Sequence, residues 1–226
     1  MTAISRGRSV APTLRLERKC WKAGERVVVG IDEVGRGAWA GPVTVCALVS
    51  PPEHLAGVRD SKQLSRQQRE QVSAEVREWA VAFGVGHASP VECDLLGMTA
   101  ALRTAAQRAL AELSAQGYEA DRIILDGKHD YLGMPGRVTT VVKGDTSVLG
   151  VAAASCVAKV ARDALMREDA LHYPPYEFES NVGYPSPRHQ IALRGYGPSA
   201  IHRRTWVFMD GLCWRGLPPA PGRLFA

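Results

Sequence analysis

The stretch GIDEVGRGAWAGPV, residues 30–43, decides how this chain is read. Two adjacent carboxylates, Asp32 and Glu33, close an apolar run and are followed at once by Gly35-Arg36-Gly37. The run RVVVGIDE (26–33) has no helical period, as expected of a strand buried on both faces. Neighbours on a regular strand point to opposite faces, so Asp32 and Glu33 reach one centre only if the backbone bends there. Gly35 and Gly37 permit such a bend. An Asp at the end of a buried strand is too costly to be idle unless it is paired or binds a metal. The competing reading is an acidic pair that opens a solvated turn.

Working outward, VTVCALV (43–49) reads as a second strand, joined to the first through a turn containing Gly and Pro, as in an antiparallel hairpin. Residues 64–80 read as a helix and 80–89 as a third strand. The segment 89–117 opens with Ser-Pro, is rich in Ala and Leu and ends in Gly, which predicts one long helix. DRIILDG (121–127) and RVTTVVKGD (137–145) supply two more strands, and a long helix of small side chains runs from 146 to about 170. Strands followed by alternating strands and helices predict an α/β fold, a mixed five-stranded sheet covered on both faces. Three segments are expected: a basic, flexible N-terminal stretch (1–24), a catalytic domain (25–170), and a C-terminal helical extension and tail (171–226) packed on it.

A chain of 226 residues with 46% hydrophobic content can bury a substantial core. Its five cysteines are scattered without a CxxC pair, which predicts neither a disulfide framework nor a zinc knuckle. The longest apolar run, VLGVAAASCVA (148–158), is too short to span a bilayer, so a soluble, cytoplasmic protein without membrane contact is expected. The net charge of +5 is unevenly placed: residues 1–24 carry six basic side chains against Glu17, and residues 181–226 carry six against Asp210. An acidic centre between basic flanks suits metal ions held on carboxylates while cations grip a polyanion.

Asp126 in ILDG is a second Asp delivered by an apolar strand to its carboxyl end, where open α/β sheets place their sites; an ordinary Asp-Gly turn is the alternative. A further carboxylate could be Asp145, otherwise a helix cap, or Asp163, otherwise the partner of Lys159 one turn earlier. On one continuous helix those two would stand about 27 Å apart. Paired catalytic ions stand only about 4 Å apart, so at most one of the two belongs to the site. Asp145 follows a strand and a glycine directly and is the one expected there. Clustered carboxylates without a Cys/His set favour Mg2+ or Mn2+ over zinc, with two ions during catalysis. The GRGAWAG segment has neither GxGxxG nor Walker spacing, which argues against a mononucleotide cradle. A non-catalytic nucleic-acid binder using the same basic flanks is the other class of function compatible with these features.

The motifs GIDEVGRG (30–37), DSKQLS (60–65), ILDG (124–127), KGDTSVLGVAAASCVAKVARD (143–163), GYPS (183–186) and HRRTW (202–206) together resemble the bacterial ribonucleases HII, of the type 2 ribonuclease H family. The resemblance implies a ribonuclease H-like fold with a helical C-terminal extension. It implies hydrolysis of RNA in RNA/DNA hybrids and incision on the 5′ side of single ribonucleotides in duplex DNA, leaving 3′-hydroxyl and 5′-phosphate ends, as in ribonucleotide and primer removal. A monomer is expected. By position, Asp32, Glu33, Asp126 and Asp145 are the catalytic, metal-holding carboxylates. Gly35, Arg36 and Gly37 resemble the loop that meets the ribose 2′-hydroxyl, the group that distinguishes RNA from DNA. Tyr184 resembles the aromatic that packs on the neighbouring sugar; Ser61, Lys62, Lys143, His202, Arg203 and Arg204 are further substrate contacts by the same resemblance. Gln63, Val182 and Thr205 depart from the usual Lys, Lys and Ser; the first two predict a weaker grip on nucleic acid.

Overall fold

A computed structural model of the protein describes residues 11–58 and 64–212, so Ser61, Lys62 and Gln63 lie outside the described residues. Five strands, β1 (Val28–Val34), β2 (Val43–Val49), β3 (Ala82–Ala88), β4 (Arg122–Asp126) and β5 (Val138–Val141), form one sheet in the order β3-β2-β1-β4-β5. The pairs β1–β2 and β2–β3 are antiparallel, whereas β1–β4 and β4–β5 are parallel. The mixed α/β sheet expected from the sequence is therefore present. β1 is central because the run Val28–Ile31 is apolar on both faces and fully buried.

Seven helices flank the sheet among the described residues: α1 (Arg15–Lys22), α2 (Arg66–Trp79), α3 (Pro90–Leu96), α4 (Met98–Ala115), α5 (Leu149–Ala170), α6 (Phe178–Asn181) and α7 (Pro187–Tyr196). On one face Val29, Ile31, Val45 and Leu125 pack against Ala101, Leu102, Ala105 and Ala109 of α4. On the other, Cys46 and Leu48 meet Leu149, Ala153 and Val157 of α5, with Val76 of α2 outside them. The contact of β1 with α5 is unusually close: a Cβ on Gly30 would stand 2.4 Å from the carbonyl carbon of Gly150. Only glycine allows the helix to lie so near the strand, and this approach sets where the start of α5 falls beside the strand ends.

Three expectations need correction. The single helix over 89–117 is two, because Gly97 at φ 77° ends α3 and starts α4 in a new direction. The long helix begins at Leu149, later than expected, since residues 144–146 first form a short 3-10 turn. Residues 11–24 are built into the fold rather than hanging loose. The Thr13 amide donates to the Ser147 carbonyl, the Leu149 amide donates to the Thr13 carbonyl, and buried Glu17 accepts from the Gly150 amide at 2.9 Å. Residues from 171 to 212 gather around a cluster of their own, in which Tyr176, Phe178, Val182, Leu193 and Ile201 pack on Met166 of α5 and Ala40. Among the described residues no helix is long and apolar enough to cross a membrane.

Candidate active site

β1 and β4 run parallel in neighbouring positions, so their carboxyl ends open on the same edge of the sheet. Asp32 shares the face of Val28 and Gly30, and Asp126 the face of Ile124; this is the side on which α5 lies. Asp145 arrives on the 3-10 turn that precedes α5 and is buried. The turn is fastened to Asp126, whose Oδ1 accepts from the Gly144 amide at 2.6 Å. A Cβ on Gly144 would crowd that oxygen at 3.3 Å. Lys143, exposed and at φ 56°, is where the chain turns out of β5 into this element.

The bend expected at Glu33 is absent. β1 keeps its register with β2 through Val34, opposite Thr44, and the chain turns only at Gly35, φ 88°. Glu33 therefore leaves β1 on the α4 side, opposite to Asp32, with its carboxylate 3.7 Å from the Arg36 guanidinium. Asp32, Asp126 and Asp145 share one face of the sheet edge, while Glu33 approaches the edge from the other. Tyr131, buried in the α4-side core, feels the charges of Glu33, Asp32 and Asp126 together. Nothing in the sequence pointed to that tyrosine.

The cluster is electrostatically unfavourable as it stands. Burial pushes the Asp32 carboxyl well above the usual range, the neighbouring Glu33 charge adds to this, and the Ser155 hydroxyl on α5 partly offsets it. Asp126 is raised mainly by burial and also by the charge of Asp145. Each carboxylate takes what donors exist, Asp32 Oδ1 accepting from the Glu33 amide at 2.8 Å. Among the described residues no three such side chains converge on one point as a ready coordination set. The donor chemistry nonetheless fits a hard divalent cation: oxygen only, anionic, mutually repelling and held by few hydrogen bonds.

Beside the acids lies the loop from Gly35 to Pro42, held by two fully buried arginines. Arg162 of α5 donates to the carbonyls of Pro42, Val182 and Ala40 at 2.9, 2.8 and 3.0 Å. Arg203 donates to those of Gly35, Arg36 and Gly41 at 2.7, 3.1 and 3.0 Å. Burial brings the Arg203 guanidinium down to about 10. Arg203, taken from the sequence as a substrate contact, thus has no exposed surface, and its donors are spent on the loop. His202 is equally interior: its Nδ1 accepts from the Ser199 amide at 2.9 Å and its Nε2 meets His189 at 2.9 Å. These two residues shape the loop from behind. Arg204 is half-buried, and its amide donates to Asp94. Thr205 donates its hydroxyl to the same carboxylate, so this departure serves a structural contact. Val182 is buried in the C-terminal cluster, and its carbonyl receives Arg162.

The exposed members of the loop are Arg36 and Gly37. Tyr184 is half-buried next to it, with Lys159 and Arg162 each stacked about 5.5 Å from the ring centre. Its position is fixed through Gly183, whose carbonyl accepts from the Trp39 amide at 2.8 Å. Arg162 carried no sequence signal beyond its place in the apolar stretch of α5, and only its burial reveals what it holds.

Carboxylates at the edge of a mixed five-stranded sheet, and a glycine loop bolted beside them, coincide with a match of the Ribonuclease HII family model to residues 29–209. The chain belongs to the ribonuclease HII family. It is 50% identical over 212 residues to a ribonuclease HII of Streptomyces avermitilis, covering 91% of this chain and 88% of that one. Identity to a Synechococcus ribonuclease HII is 45% over 202 residues, covering 88% and 89%. Among solved structures, ribonuclease H2 of Pyrococcus horikoshii is similar with a TM-score of 0.66 at 28% identity, over 81% of this chain and 95% of that one. The ribonuclease HII of Archaeoglobus fulgidus, solved with PCNA, gives 0.67 at 25% identity, over 80% and 95%. As a member of the ribonuclease HII family, the protein is a divalent-metal-dependent endoribonuclease acting on RNA in RNA/DNA hybrids.

Proposed function

We propose that this ribonuclease HII incises duplex DNA on the 5′ side of a single embedded ribonucleotide, leaving 3′-hydroxyl and 5′-phosphate ends, and that it also cleaves longer hybrids. Asp32, Asp126 and Asp145, with Glu33 from the opposite face, would hold two Mg2+ or Mn2+ ions. When bound, such ions supply an acidified water and charge neutralisation at the leaving oxygen.

The protein's own groups have separable tasks in this reading. Asp32 and Asp126 lie on the same face of adjacent parallel strands, which supports their acting on one phosphate. Arg36, exposed and 3.7 Å from the Glu33 carboxylate, would meet a phosphate, and the exposed Gly37 backbone beside it a 2′-hydroxyl; their exposure supports these roles. Tyr184 offers a ring to the neighbouring sugar and is kept from turning by the cations against it.

The observation that carries the reading is the contrast between the glycines at 35 and 37. Gly35 is required by the fold, because a Cβ there would lie 2.3 Å from Arg162 Nε. A Cβ on Gly37 would meet nothing within 4 Å, so no contact among the described residues calls for glycine there. A partner that approaches the backbone closely supplies the reason.

A labelled duplex with one ribonucleotide, incubated with Mg2+ with and without chelator and mapped to the nucleotide, tests this. Incision 5′ to the ribonucleotide that chelator abolishes is expected. Incision elsewhere, or equal cutting of an all-DNA duplex, would overturn the proposal.

A further inference from the structure

The site accounts for the loop and the carboxylates but not for α1. Its exposed face carries Arg15, Arg18, Lys19 and Lys22, at i, i+3, i+4 and i+7, while its one acid, Glu17, is turned inward onto Gly150. None of the four cations forms a salt bridge with a described residue. Like charges three and four residues apart each cost a helix about 0.2–0.5 kcal/mol. Arg15 in the first turn also opposes the helix dipole. Lys19 and Lys22 in the last turn suit the dipole, but the mutual repulsion of the four cations remains, and a polyanion along this face would offset it.

The place of α1 shows which polyanion. Its cations wall one side of a groove of about 1080 Å³ whose other side is Thr146, Ser147 and Val148. Those residues follow Asp145 in the chain, yet no carboxylate of the sheet edge lines the groove, so it is a surface separate from the acidic cluster and tied to it through the start of α5. The backbone bonds of Thr13 with Ser147 and Leu149 make the wall rigid with respect to the site. From Arg15 to Lys22 the helix rises about 10 Å, and a DNA strand places one phosphate per roughly 3.4 Å of axis, so the face matches about three consecutive phosphates.

We propose that this basic groove is a second binding site for the sugar-phosphate backbone, gripping the substrate duplex several base pairs from the ribonucleotide. It reads no sequence and no sugar; it sets how much flanking duplex the enzyme holds. The proposal rests on the functional reading above for the position of the duplex.

The test compares the wild type with Arg18→Gln/Lys19→Gln/Lys22→Gln and with the charge-conserving Arg18→Lys/Lys19→Arg/Lys22→Arg. Binding is measured in chelator to single-ribonucleotide duplexes of about 8 and about 24 base pairs over a range of salt. For the neutral variant, the dissociation constant of the long duplex should rise about tenfold near 0.1 M salt and the log–log salt slope should flatten by about two to three. The short duplex should bind as before, the conserving variant should match the wild type, and kcat at saturating long substrate should not change. Equal losses on both duplexes would overturn the proposal, since the charges would then act only as a general field. So would unchanged binding of both, which would leave the cations to an acidic protein partner. A wild type that binds both duplexes but never incises beside the ribonucleotide would instead sink the functional reading and leave the groove's result standing.

Discussion

Alanine at Gly35 and at Gly37 should separate folding from substrate contact within three residues. At Gly35 the backbone is at φ 88°, and the new methyl would lie 2.3 Å from Arg162 Nε and 2.7 Å from the Pro42 carbonyl oxygen. The left-handed conformation costs a non-glycine residue about 1–2 kcal/mol. Overpacking against a buried arginine that already holds three carbonyls adds about 1–3 kcal/mol. A total of about 2–5 kcal/mol at about 2–4 °C per kcal/mol places the Tm of Gly35→Ala roughly 4–20 °C below the wild type. At Gly37 the methyl enters open space, and the expected stability change is within about 0.5 kcal/mol. If the loop carries the ribose at the Gly37 backbone, however, the same methyl stands between protein and sugar. A misfit worth about 1–3 kcal/mol lowers kcat/KM on a single-ribonucleotide duplex about five- to 150-fold. Differential scanning calorimetry and single-turnover cleavage of both variants decide the matter. A Gly37→Ala enzyme with unchanged Tm and unchanged cleavage would refute the placement of substrate on this loop. A Gly35→Ala enzyme as stable as the wild type would refute the packing argument.

Removing charge from the acidic edge should stabilise the metal-free protein: Asp32→Asn relieves a buried carboxylate that repels Glu33 and Asp126, raising Tm in chelator by several degrees while abolishing cleavage. Added Mg2+ should raise the wild-type Tm more than the variant's, and a variant less stable than the wild type in chelator would contradict this. Burial, and secondarily Arg108 and Arg162, lowers His87 to about 4, so the unfolded chain takes up this proton first. Stability is then full above about pH 6.5 and falls by up to about 1.4 kcal/mol per unit as pH drops toward 4. Urea titrations of His87→Gln at pH 7, 6 and 5 should show a shallower fall than the wild type. Arg203→Lys cannot serve three carbonyls from one ammonium, and a loss of about 2–3 kcal/mol in stability is expected, with kcat/KM falling while binding of plain duplex DNA is retained.

The sheet was legible because each strand is a short apolar run closed by Gly, Pro or an acid, and VTVCALV coincides with β2 residue for residue. The neighbouring carboxyl ends of β1 and β4 followed from the same pattern, which is why Asp32 and Asp126 could be placed together. The relation of Glu33 to Asp32 was not legible. It depends on whether β1 keeps its register with β2 past Ile31, and that is settled by pairing across the hairpin rather than by the local residues. Basic residues misled for a related reason. Arg203 and Arg204 are adjacent in the sequence and look alike there, yet the short pairing of Ala40 with His202 turns Arg203 inward beneath the loop. Arg15 to Lys22 read as a charged tail because the burial of Leu14, Glu17 and Cys20 on one helical face is visible only once α5 is beside it.

The geometry between cutting and reading elements traces to one stripe of α5. Ser155, Lys159, Arg162 and Met166 recur at i, i+4, i+7 and i+11 and so share a face of the helix. Ser155 bonds the Asp32 carboxylate. Lys159 and Arg162 flank the Tyr184 ring, Arg162 ties the carbonyls of Ala40, Pro42 and Val182, and Met166 packs where side chains at Gly41 and Gly183 would otherwise stand. Asp163 is used within this framework, bonded to Lys159 at 2.7 Å, rather than at the sheet edge. Burying a guanidinium against carbonyls, with no carboxylate bonded to it, is costly, and it is tolerated only where the donors are used in full. Because the same rigid helix is seated on β1 through Gly30 and Gly150, the distance from the carboxylates to the loop is fixed before substrate arrives. In the proposed reading, where the enzyme cuts beside one ribose in a long duplex, that constant distance is what would let recognition at Gly37 place the phosphate one step away against Asp32 and Asp126.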